Sequence, residues 1–340
     1  MNVLVTGAAG TVGSETVEKL LLLDKNINIS VFDLDNSSVR KKMSKFENKV
    51  NIMYGEITNY EQVQKVCKNQ DVIIHLAAII PPLADYKPDL AYDVNVNGTR
   101  NIIKAIKTND KDTMLIYSSS ISVYGDRINN PDIYVTDKLE ASDGDEYAKT
   151  KIMAEKLIQE SGIRWTIFRL TAIFGIRNHK INKLMFHMPL DTPIELATAE
   201  DTGRAFALAT LNTEKIQGQI FNLSGGKECR ISYREFLKRN FLIYGLGKLK
   251  FPKNAFASKN FHCAYYADGD KLEEILHFRK DTIDTYFEKL KANYPPVFRF
   301  FTKIVNSLVQ KILLMYSEPY QALRKKDTAM INRFFGQMSY

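Results

Sequence analysis

Three glycines at three-residue spacing, Gly7, Gly10 and Gly13, stand between an apolar run, Val3 to Val5, and a helix-like stretch from Ser14 to Leu23. That order of strand, glycine turn and helix constrains the fold more than any other feature of the chain. The first glycine permits the tight turn and the second lets backbone N–H groups approach a pyrophosphate. The third lets the helix pack against the strand, with its positive N-terminus aimed at the phosphates. Twenty residues after Gly13, Asp33 closes a second apolar run, Ile29 to Phe32. A carboxylate there accepts hydrogen bonds from the adenosine ribose and repels a 2′-phosphate, so the expected dinucleotide is NAD rather than NADP.

Further apolar runs follow at Val50 to Tyr54, Asp71 to Leu76, Met114 to Tyr117 and Trp165 to Leu170, with helical patterns at Asp89 to Lys107 and Glu146 to Glu160. Strands alternating with helices predict a doubly wound parallel sheet, an α/β Rossmann fold, with ligands beyond the carboxyl ends of the strands. After Gly175 the pattern becomes less regular, with a helix at Arg204 to Leu211, a strand at Ile220 to Leu223 and a helix at Tyr233 to Leu242. The expected organisation is a dinucleotide-binding domain over residues 1–175 and a small substrate-binding lobe over 176–294, interleaved with the last sheet elements. A helical extension over 295–340 follows.

Tyr147 and Lys151 stand four residues apart, on one helix face. A lysine ammonium beside a phenol lowers the phenol's pKa, and the phenol can then exchange a proton with a hydroxyl carbon's oxygen. Ser120, in the run Ser118-Ser119-Ser120, is the candidate to orient that oxygen.

Composition excludes several other classes. The five histidines lack metal-ligand spacing, so no metal is expected, and the three cysteines, Cys67, Cys229 and Cys263, lack CxxC spacing and suit reduced thiols in a cytoplasmic setting. A core strand from residue 2 leaves no room for a cleavable leader. The net charge of +8 is concentrated after Pro295, where +5 resides, and nothing in it indicates a nucleic-acid partner.

The segments TGAAGTVG (6–13), GEIT (55–58), HLAA (75–78), NVNGT (95–99), YSSSISVYG (117–125), YAKTK (147–151) and FRLTAIFG (168–175), with Asp33, occur in a telling order. Together they resemble an extended short-chain dehydrogenase/reductase of the NAD-dependent epimerase/dehydratase family. The resemblance covers about half the chain. It implies Tyr147 as catalytic acid/base, Lys151 as its electrostatic partner and ribose ligand, Ser120 as third catalytic residue and Asn95 as supporting residue. It also implies a cofactor surface made of Ala9, Thr11 and Val12 in the turn, Leu34, Leu76, Ala77, Ala78, Tyr117, Ser118 and Leu170 at strand ends, and Glu56 and Ile57 at the adenine. A homodimer paired through the Tyr147 helix is the implied assembly.

Departures from the family pattern narrow the chemistry. Sugar dehydratases carry an Asp-Glu pair where this chain has Ile121-Ser122, which disfavours water elimination. Nucleotide-sugar enzymes of the family usually carry Asn where this chain has Ala172, and an Arg-Asp pair where Pro193 to Leu196 has none. The expected activity is hydride transfer at a secondary alcohol or ketone, on a sugar or sugar nucleotide by family precedent. One competing reading is a dehydrogenase or reductase of an apolar, steroid- or lipid-like hydroxy or keto compound. Another is a non-catalytic dinucleotide-binding assembly or sensor protein. Within residues 176–197, Met185, Phe186, Met188, Leu190 and Ile194 suit an apolar pocket and a core equally well.

Residues 298–316 place apolar side chains at 301, 304, 305, 308, 312 and 315, with Arg299, Lys303, Asn306, Ser307, Gln310 and Lys311 opposite. This is an amphipathic helix with a basic face, suited to packing on its own domain or a partner subunit, or to peripheral contact with a membrane.

Overall fold

The computed structural model describes residues 1–340 except 24–25, 176–182, 260 and 337–340. Among the described residues twelve strands form in chain order: β1 (Asn2–Thr6), β2 (Asn28–Asp33), β3 (Asn51–Tyr54), β4 (Val72–His75), β5 (Met114–Ser120), β6 (Asp132–Ile133), β7 (Arg164–Leu170), β8 (Ala172–Phe174), β9 (Pro193–Thr198), β10 (Gln219–Leu223), β11 (Arg230–Ser232) and β12 (Tyr265–Tyr266). Seven of them make one sheet in the order β10-β7-β5-β4-β1-β2-β3, and every neighbouring pair in it is parallel. This is the doubly wound sheet expected from the sequence. Val3, Leu4 and Val5 of β1 and Ile73 and Ile74 of β4 are fully buried, as strands covered on both faces must be.

The chain leaves β1 toward β2 and β3, then crosses back to β4 on the other side of β1. A crevice therefore opens at the carboxyl ends of β1 and β4, where doubly wound folds hold their ligands. The glycine turn follows β1, and Leu76 to Ala78 follow β4.

Two elements differ from expectation. The helix expected over 89–107 is interrupted: Pro88–Tyr92 and Gly98–Lys107 are α-helical, and Asp93–Asn97 between them forms a π turn. Such turns insert one residue and recur at functional sites. Strand β5 runs on through Ser120, because Ser118 to Ser120 stay paired with Phe168 to Leu170.

The second layer of structure is a small lobe. It holds the three-stranded sheet β11-β9-β8 and the helices Tyr233–Ile243 and Ile283–Asn293. Its core is aromatic, with Phe174, Phe186, Phe236, Phe241, Tyr286 and Phe287 packed together. Met185, Phe186, Met188 and Ile194 are buried in this core and Leu190 packs against it, so the described part of 176–197 is core rather than pocket wall. Residues 176–182 of that segment lie outside the described residues.

Among the described residues the extension forms three helices, Pro296–Met315, Glu318–Lys325 and Thr328–Phe335. The last two are capped by Ser317, which accepts from the Tyr320 N–H at 3.1 Å, and by Asp327, which accepts from Met330 at 3.1 Å. The first packs on its own domain, one of the arrangements the sequence allowed, but not through the apolar residues singled out there. Its inward edge packs Val309, Leu313 and Leu314 on the lobe and buries Gln310, bonded to Leu246, Lys248 and Lys250, while Ile304, Leu308 and Ile312 face outward.

Candidate active site

At the glycine turn, Gly7 has φ +71°, and a Cβ there would lie 2.7 Å from the Ala77 nitrogen. At Gly13 a Cβ would overlap the Gly7 carbonyl. Only glycine lets the turn, the helix Thr11–Leu23 and the β4 extension close together. Gly10 sits between them, with Ala9, Thr11 and Val12 completing the turn. Asp33, at the end of β2, accepts the Ala9 N–H at 2.7 Å and the Leu34 N–H at 2.8 Å, which locks its carboxylate beside the turn. Leu34 itself is 48% exposed. Glu56 is exposed, whereas Ile57 is buried, packed where Gly98 leaves room for it. A groove of 960 Å³ opens from Gly10 and Thr11 past Lys42 to Thr198 and Lys289, and it does not reach Tyr147.

The second half of the site sits at the end of β5. Tyr147 lies one residue into the helix Glu146–Gln159, which Asp145 caps by accepting the Ala148 N–H at 2.8 Å. The Tyr147 phenol is hydrogen-bonded with Ser120, whose Oγ also meets the Ser122 hydroxyl at 3.0 Å. Lys151 is 2% exposed; its Nζ donates to the Ser118 carbonyl at 2.7 Å and to the Tyr117 hydroxyl at 3.2 Å. Tyr117, buried beneath, thus supports the lysine. The structure brings Ser120, Tyr147, Lys151, Tyr117 and Ser118 together, with Leu170 buried alongside on β7.

Electrostatics here differ from the sequence expectation. Burial raises the Tyr147 pKa, Asp145 adds to the rise, and the Ser120 hydrogen bond only offsets part of it. The Lys151 Nζ lies 5.7 Å from the Tyr147 ring centre and spends its hydrogen bonds elsewhere, so the expected lowering of the phenol is outweighed. Burial lowers the lysine itself to about 7, against the pull of Glu155 in the other direction.

Asn95 lies in the π turn. Its Oδ1 accepts the Ile79 N–H at 2.8 Å, and its Nδ2 donates to the Ile79 carbonyl at 3.0 Å and to the Thr150 hydroxyl at 2.9 Å. It therefore ties the segment after β4, where Leu76, Ala77 and Ala78 lie, to the Tyr147 helix. His75 has a structural part: its ring bonds Thr6 at 2.7 Å and Thr99 at 3.2 Å, and burial lowers its pKa to about 3, with Lys151 contributing. Among the described residues no cluster suits a metal ion.

Sequence reasoning missed the buried support below these groups. Glu155, one turn beyond Lys151, is fully buried and pairs with Arg169 of β7 at 2.7 Å. Arg169 also donates to the Tyr124 hydroxyl at 2.7 Å, which donates to Asn222 of β10, itself bonded to Asp268. The spacing of Tyr147, Lys151 and Glu155 on one helix face was the available signal. Also unforeseen, the tail closes on the rim: Glu318 pairs with Lys183 at 2.8 Å and His187 at 2.7 Å and accepts from the Tyr86 hydroxyl at 3.4 Å.

Comparison with known proteins agrees with this geometry. Residues 4–185, more than half of the chain, match the model of the 3-beta hydroxysteroid dehydrogenase/isomerase family. The chain belongs to that family. This sharpens the wider resemblance to extended short-chain dehydrogenase/reductases. The 3 beta-hydroxysteroid dehydrogenase type 7 of Rattus norvegicus is 30% identical over 166 residues, 47% of this chain and 48% of that protein. The N-acetyl-alpha-D-glucosaminyl-diphospho-ditrans,octacis-undecaprenol 4-epimerase of Escherichia coli O157:H7 is 30% identical over 184 residues, 52% of this chain and 50% of its own length. The chain thus spans about half the length of the curated relatives it matches. A solved UDP-glucuronic acid 4-epimerase from Bacillus cereus, in complex with UDP-glucuronic acid and NAD, superposes with a TM-score of 0.71 at 20% identity. It covers 86% of this chain and 98% of its own, a likeness of fold.

Proposed function

We propose that this family member is an NAD(H)-dependent oxidoreductase or epimerase acting at a secondary alcohol or ketone carbon. The observation that carries the reading is the meeting of Ser120, Tyr147 and buried Lys151 at the end of β5, beside the glycine turn. The residues present fit the cofactor: the turn at Gly7 and Gly13 has no room for a side chain, and Asp33 presents a carboxylate beside it. When bound, NAD supplies the hydride acceptor or, reduced, the hydride donor. Gly7 to Gly13 would hold the pyrophosphate, Asp33 and Leu34 the adenosine ribose, Glu56 and Ile57 the adenine, and Lys151 the nicotinamide ribose. Ala77, Ser118 and Leu170 would complete the surface, whereas Tyr117, expected there, is fully buried beneath Lys151 and would act only through the lysine.

The chain's own residues then handle the proton. Ser120 orients the substrate oxygen. Tyr147, whose pKa burial raises, holds its phenolic proton at neutral pH and delivers it to a ketone oxygen, or recovers it from an alcohol. Asn95 keeps the Tyr147 helix in register with the segment after β4. Water elimination is disfavoured, because Ile121 and Ser122 are buried and neither is a carboxylate.

The wider resemblance to NAD-dependent epimerases favours a sugar or sugar nucleotide as substrate. A second reading, an apolar steroid- or lipid-like hydroxy or keto compound, is favoured by Ala172, by the absence of an Arg-Asp pair at 193–196 and by the matched family model. The proposed assembly is a homodimer through the Tyr147 helix, on which Met153 is 48% exposed; light scattering across a concentration series tests it. Panels of hydroxysteroids, ketones and UDP-sugars find the substrate. On whichever is turned over, Tyr147→Phe should lower kcat by about 10²–10⁴ while NADH binding is retained. Undiminished turnover by that variant would remove Tyr147 from the chemistry and leave the reading without its centre.

A further inference from the structure

The helix Pro296–Met315 is docked along an edge where Val309, Leu313 and Leu314 pack against the aromatic core of the lobe, with Gln310 among them. Gln310 is 3% exposed and makes three hydrogen bonds to the backbone at 246, 248 and 250. A second, larger apolar side turns away from the protein: Phe298, Phe300, Phe301, Ile304, Leu308 and Met315 are each 59–70% exposed. With one apolar edge already packed on the lobe, a second apolar face of this size needs an apolar neighbour of its own.

Charge says which neighbour. No Asp or Glu occurs between Glu288 and Glu318, while Arg299, Lys303 and Lys311 lie on the helix. The segment that bonds Gln310 belongs to a stretch, Phe236 to Ala267, with six Lys or Arg and no acid. Glu318, the first carboxylate after the helix, is already taken by Lys183 and His187. Cations flanking an exposed apolar and aromatic face complement an anionic lipid surface. A second copy of the same face would meet it with like charge and no carboxylate. Among the described residues no helix is long and apolar enough to cross a membrane, so the contact is one of lying in the interface.

We infer that the helix Pro296–Met315 seats the protein on anionic lipid, its axis in the plane of the headgroups. The inference rests on the tail and the segment it docks against, and is independent of the catalytic reading.

The test floats the full chain with vesicles of phosphatidylcholine alone and of phosphatidylcholine and phosphatidylglycerol in equal parts. The expected result is binding to the anionic vesicles, weaker to the neutral ones by about tenfold or more and reduced by salt. The double variant Ile304→Asp with Leu308→Asp changes only exposed side chains. It should lose vesicle binding while keeping its circular dichroism spectrum and thermal transition. Failure of the native chain to float, or flotation of the double variant, overturns the inference. So does a vesicle-negative chain whose dimer the double variant dissociates, which would assign the face to a second copy.

Discussion

Lys151 is held at a cost that its surroundings only partly relieve. In water a lysine keeps its proton to about 10.5, and here burial lowers that to about 7. Between those values the unfolded chain binds more protons than the folded one, so this residue makes stability rise with pH across that window. Below pH 7 the penalty is present in full. Urea midpoints of the native protein should therefore increase from pH 7 to pH 9, by up to about 1.4 kcal/mol per pH unit from this group. In Lys151→Met that slope should flatten and stability at pH 7 should rise, while turnover is lost. Identical slopes in the two proteins would mean that the lysine is not desolvated as described. The same site keeps Tyr147 protonated through burial, so phenol and ammonium are tuned by a shared exclusion of water rather than by direct contact.

At the scale of elements, the helix Glu146–Gln159 carries the site on one face and its support on the same face a turn further on. Tyr147 and Lys151 meet the end of β5, and Glu155 meets Arg169 of β7. Removing one member of a fully buried pair leaves the other uncompensated, so Glu155→Gln should destabilise the fold by about 3–5 kcal/mol, read from denaturant unfolding. A loss below about 1 kcal/mol would show that the pair is not buried in solution. The strands, the glycine turn and the Tyr147–Lys151 spacing were legible in the sequence because each is a local pattern. Arg169, Tyr124, Asn222 and Asp268 were not, because what joins them is sheet order: β7 and β10 become neighbours only once the chain has crossed back over β1. The π turn at Asn95 was hidden for a similar reason. Its partner Ile79 lies sixteen residues earlier, in a segment with no regular periodicity.

At the scale of the molecule, the sheet, the lobe and the tail converge on one rim, where the loop after β4, the lobe and the tail meet through Tyr86, Lys183, His187 and Glu318. The sequence showed that the tail helix has two faces but not which of them would turn inward, since that depends on the three backbone groups waiting for Gln310. The selectivity of the crevice between β1 and β4 for NAD over NADP follows from Asp33 beside the glycine turn. Its most direct measurement is calorimetric titration of the full chain with NADH and with NADPH, after any ligand released by denaturation of a parallel sample has been identified by mass. One NADH should bind per chain and NADPH should bind about tenfold or more weaker, with the difference shrinking in Asp33→Ala. Equal or tighter binding of NADPH, or no binding of either by a protein that releases no nucleotide, would contradict it.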